Sequence, residues 1–250
     1  MKMTPMEQFA VKPLVPLHIG GFDVSFTNQA LWMCIVVGAV ALFMTLAVSR
    51  RGIVPTRLQS MAEISYEFVA DMIGGAAGED GLRFFPFVFT LFMFVLFSNV
   101  LGLLPGSFTV TSQIAVTFAL AAFIIAMVVV TGFLRHGIGF LKLFVPKAPL
   151  IMLFLLVPIE IISFLTRPIS LSVRLFANML AGHTMLKVFA SFVIALGGAG
   201  GLLSLLSVAP MALIVAITAL ELLVAGLQAY VFAILTCIYL GEALYLHGNH

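Results

Sequence analysis

Charge is what this chain has least of. Lysine and arginine number 12, and aspartate and glutamate 10, in 250 residues, so 9% of positions are charged. A soluble domain carries about a quarter. The formal net charge of +2 is too small for the basic face that nucleic acid binding needs. Cysteine is nearly absent: Cys34 and Cys237 both lie in apolar runs and read as packed free thiols. No CxxC pair and no His/Cys cluster points to a metal, and no cofactor is expected. The pattern G-x-x-x-x-G-K-[ST] does not occur, which excludes the phosphate-cradling loop by which a chain of this kind would bind nucleotide. The opening MKMTPMEQFAVKPLVPLHIGGFD contains acidic residues and prolines and lacks the apolar core of a cleaved signal peptide.

What is present is apolar. Hydrophobic residues make up 62% of the chain, and mean hydropathy is +1.22. A transmembrane helix needs about 20 mostly apolar residues, and there is material for several. A β-barrel would show short alternating segments in place of long apolar runs. The expected fold class is an all-α integral membrane protein, a single polytopic domain over 1–250.

The few charges divide the apolar sequence. A first span from about Ala30 to Val48 stops at Arg50, Arg51 and Arg57. Basic residues collect on the cytoplasmic side, so the N-terminal segment 1–29 is expected outside. Next, TRLQSMAEISYEFVADM places Leu58, Met61, Ile64, Phe68 and Met72 on one face. This reads as an amphipathic helix over 56–73 lying in the membrane interface, with GGAAGEDG after it as a loop. Spans from about Phe85 to Leu104 and from Ile114 to Leu134 follow, joined by the uncharged PGSFTVTSQ. Arg135, Lys142 and Lys147 mark the cytoplasm again.

Residues 148–245 read as two long, tilted helices in an antiparallel hairpin. From Ala148 to about Leu196 only Glu160, Arg167, Arg174 and Lys187 are charged. As one helix this stretch is about 70 Å long, more than twice the roughly 30 Å of bilayer hydrocarbon. It is either two elements or one steeply tilted helix bent at Pro158 and Pro168. GGAGG is a turn, and a last helix runs from about Leu205 to Leu244. Five crossings put the C-terminus in the cytoplasm.

In the first long helix Glu160, Ser163, Arg167, Ser170, Arg174 and Asn178 recur at steps of three and four, which places all six on one face. An intramembrane arginine is costly and should face protein or a water-filled cavity. The alternative for any one of these residues is a structural Arg–Glu pair. His183 lies nine residues beyond Arg174, about 180° round the helix. On the last helix Glu221 and Gln228 are nearly eclipsed. With Arg174 level with Gln228 across the hairpin, His183 and Glu221 fall near one depth, and an imidazole beside a carboxylate is suited to moving protons. Glu160 then lies on the cytoplasmic side of Arg174, and His183 and Glu221 on the outer side. Two aqueous half-paths separated by a guanidinium that cannot deprotonate would not short-circuit a proton gradient.

RPISLSVRLFANMLAGH with a downstream LQAYVFAILTCIYL strongly resembles subunit a of the F-type ATP synthase, most specifically from Arg167 to Gly182. The resemblance implies a non-catalytic stator subunit of a rotary proton motor in an energy-coupling membrane, bacterial inner membrane above all. It implies that Arg174 faces a rotating ring of c subunits, each with a buried carboxylate, with Asn178 and Gln228 beside the arginine. His183 and Glu221 match an outer half-channel, Glu160, Ser163 and Ser170 an inner one, and Asn99, in LFSNVLGLLP, the outer path more weakly. It further implies b-type peripheral stalk subunits and lipid as partners and protons as the transported ion. Lys187 matches nothing in the pattern and reads as a side chain reaching for the outer interface. The competing reading is a secondary transporter in which Arg174 binds an anionic substrate. The repeated halves and paired broken helices of transporters are not evident.

Overall fold

A computed structural model describes residues 10–16, 18–19, 22–23, 25–49, 55–104, 106–144, 150–198 and 200–245. Two short antiparallel pairs come first, β1 (Pro13–Val15) with β4 (Phe26–Thr27) and β2 (His18–Ile19) with β3 (Phe22–Asp23). Helices follow: α1 (Asn28–Ser49), α2 (Arg57–Gly81), α3 (Phe85–Gly102), α4 (Ile114–His136), α5 (Leu150–Gly198), α6 (Leu202–Leu206) and α7 (Val208–Leu244). Among the described residues five helices are long and apolar enough to cross a membrane, as the composition requires. The chain is an all-α integral membrane protein. Arg50, Arg51 and Lys147 lie outside the described residues.

Local chemistry accounts for the element boundaries. Thr27 Oγ1 accepts from the Ala30 amide at 3.3 Å and Thr56 Oγ1 from the Gln59 amide at 3.4 Å, so each caps donors that a helix start leaves unpaired. After α5 the chain turns through Gly200 and Gly201, both at positive φ (71° and 61°), a conformation that a side chain disfavours. The long apolar stretch after residue 148 is one element: α5 runs 49 residues and keeps both Pro158 and Pro168 inside it.

The glycine-rich segment after the amphipathic stretch departs from expectation. GGAAGEDG is not a loop, because α2 continues through it to Gly81, broken locally at Gly78 (φ 66°). Its small side chains admit the end of α7: a Cβ on Gly241 would come within 2.6 Å of the Ala76 carbonyl oxygen. Close packing supplies the helix with partners that its composition alone does not suggest. Of the apolar face expected on α2, Leu58, Met61, Ile64 and Phe68 are exposed and Met72 is buried with Val69 and Ile73.

The chain divides into two units, each with its own core. The first comprises 1–42, 94–113 and 175–229. In it the uncharged stretch after α3 folds inward at Phe108, Thr109, Val110, Thr111 and Ser112, all buried. The second comprises 43–93, 114–174 and 230–250. There α4 and α5 meet through Thr117 and Ser172, whose hydroxyls are 3.0 Å apart, Arg135 pairs with Asp80, and His136 Nε2 lies 3.1 Å from the Leu244 carbonyl oxygen.

Candidate proton-path residues

In the first unit a polar cluster forms where three segments meet. Asn99 of α3 is buried and donates through Nδ2 to the Ala225 carbonyl of α7 at 3.3 Å. Its Oδ1 accepts from Thr111 at 2.9 Å. His183 of α5 places Nε2 3.1 Å from Thr109 Oγ1, and that hydroxyl reaches the Gly102 carbonyl at 3.4 Å. With Nε2 protonated, the ring donates to the hydroxyl and the hydroxyl to the carbonyl, so each donor has an acceptor. His183 also lines a cavity of about 510 Å³ with Lys187, Ser107, Thr218 and apolar residues of α5 and α7.

Glu221 of α7 is buried, and its carboxylate lies against α5 at Gly182, where a Cβ would collide with it. The acid therefore meets α5 one residue before His183. Oε2 of Glu221 and Nε2 of Gln228, both buried, have no hydrogen-bond partner among the described residues. An unpaired buried carboxylate oxygen is expensive unless water or a proton serves it. Asn178 is half-buried on α5.

The remaining members of the α5 stripe belong to the second unit. Phe164, Leu171 and Ser172 of α5 are buried there, and Ser163, Ser170 and Arg174 are exposed, with Glu160 half-buried. Arg174 has no ion pair among the described residues of the chain. Arg167 differs. Its guanidinium pairs with Glu242 of α7 and lies 4.8 Å from the Tyr239 ring centroid and 5.7 Å from that of Phe164. The structural Arg–Glu pair weighed for the stripe is thus present at one member. Thr109, Thr111 and Glu242 join these residues only through the fold. The signal for the threonines was the absence of charge in their segment; for Glu242 there was none.

The family model described as the ATP synthase A chain matches residues 30–241. The chain belongs to this family. It is 60% identical to a protein named ATP synthase subunit a from Mesorhizobium japonicum, over all of this chain and 98% of that protein. It is 60% identical to one of the same name from Chelativorans sp. and 58% to one from Rhizobium meliloti, each over the whole of both chains. Membership makes the chain a non-catalytic, proton-translocating subunit of the membrane sector of an ATP synthase, integral to the inner membrane. It also removes the secondary transporter reading.

Proposed function

We propose that the chain provides two offset half-channels to and from the carboxylates of a rotating ring of c subunits, coupling proton flow to ATP synthesis. The observation that carries this reading is Arg174, exposed near the middle of α5 on the face that carries Ser163 and Ser170. A guanidinium costs about 2.5–3.5 kcal/mol at a bilayer centre on insertion scales. Its position on an outward face of a membrane helix calls for a protein partner with acidic groups, not lipid. A carboxylate buried in such a partner is held protonated by desolvation, and beside Arg174 its ionised form is favoured. The proton then leaves on one side, and the site reloads from the other.

On the outer side His183, Glu221 and Asn99 form the path, with the cavity beside His183 as its aqueous mouth. On the inner side Ser170, Ser163 and Glu160 lead to the cytoplasm. Asn178, one helical turn beyond Arg174 on α5, and Gln228 of α7 add neutral polar groups to the path. The N-terminus lies outside and the C-terminus in the cytoplasm, α2 rests in the interface on its exposed apolar face, and 148–245 is the proton-path hairpin. Peripheral stalk subunits of the b type hold the chain against the ring's rotation.

Gentle solubilisation and affinity capture test the assembly. A small proteolipid ring should be retained in stable association. Capture of the chain as a solitary, transport-competent protein would contradict the proposal.

A further inference from the structure

Arg167 and Arg174 lie seven residues, about 10 Å, apart on one face of α5. Under the proposed function a fixed cation separates the two paths because it repels an excess proton and cannot release its own. Two such cations in series would place a second barrier inside the inner path, between Arg174 and Glu160. Arg167 does not act as one, because Glu242 meets it from α7 and Tyr239 and Phe164 stack against the guanidinium.

We infer that Glu242 is a positioning residue of the inner proton path: it neutralises Arg167 and leaves Arg174 as the cation that separates the half-channels. The inference rests on the proposed inner path. The side chains present support an electrostatic role. Arg167 and Glu242 keep 18% and 36% of their side-chain surface, so the pair borders accessible space where its net charge is felt. Neutral hydroxyls, Ser163 and Ser170, occupy the same face on either side of it.

The test is ATP-driven proton pumping per assembled complex in inverted membrane vesicles. Glu242→Gln leaves Arg167 uncompensated and is expected to lower pumping about tenfold. Arg167→Gln removes the cation and should stay within about twofold of the parent. The double variant Arg167→Gln/Glu242→Gln abolishes the ion pair yet restores neutrality and should also pump within about threefold. A brace between α5 and α7 behaves differently, since both single changes would hurt alike and the double would be no better than either. That pattern, or normal pumping by Glu242→Gln, overturns the inference. Should Glu242→Gln fail to assemble, the neutral double variant carries the test alone, and its inactivity once assembled is the contradicting result. Glu160→Gln separates this inference from its foundation. Normal pumping there removes the inner path itself, whereas impaired pumping there with unimpaired Glu242→Gln removes only the role of Glu242.

Discussion

A histidine held half-buried in a membrane helix needs a partner for its ring nitrogen, and Thr109 meets Nε2 of His183 at 3.1 Å. Glu221 approaches the same turn of α5 from the other helix, against Gly182. The two groups thus serve adjacent positions of one backbone, and if they act together their order is exchangeable. His183→Glu/Glu221→His should retain markedly more pumping than either single change, each of which leaves two like groups facing one another. A double exchange no better than the singles would separate the two residues functionally. Such contacts mark the limit of what a single sequence exposes. His183 and Glu221 were legible because periodicity and the hairpin register brought them to one depth. Thr109 lies 74 positions from His183 and Glu242 lies 75 from Arg167, and no local pattern encodes a pairing at that separation.

Helices carry their own evidence where the signal is hydropathy. The four apolar spans and the long α5 follow from residue type, since a hydrogen-bonded helix leaves no backbone group unsatisfied in lipid. Where packing decides, the pattern misleads. The glycines after Met72 suggest a loop by intrinsic preference, yet they lie in α2 because a small surface there admits Gly241 of α7. Two glycines on opposite sides of this logic give a paired prediction. At Gly241 an added side chain meets the Ala76 backbone at 2.6 Å, which cannot move without moving α2. Gly241→Val should therefore destabilise the subunit by about 1–3 kcal/mol, the usual cost of overpacking, seen as a lower midpoint of thermal unfolding in detergent. At Gly182 the obstacle is the end of the flexible Glu221 side chain. Gly182→Val should shift that midpoint little and lower proton pumping instead. Equal loss of stability at both positions would contradict this distinction between backbone and carboxylate contacts.

Over the whole molecule the scarcity of charge becomes the organising feature. Among the described residues, the ionisable groups of the two long helices meet different surroundings. Arg167 has Glu242, Glu221 lies against α5, and Arg174 is exposed on the stripe. The stripe itself was legible from spacing and its family from the residues around Arg174, but its division into one neutralised and one unneutralised arginine required the fold.

Arg174 is the point on which the account turns, and ATP-driven proton pumping by the assembled complex with Arg174→Ala tests it most directly. The complex should assemble in normal amount, as judged by capture of the ring and the peripheral subunits, and pumping should fall to background. Pumping at the parental rate by an assembled Arg174→Ala complex would contradict the claim that this residue separates the two proton paths.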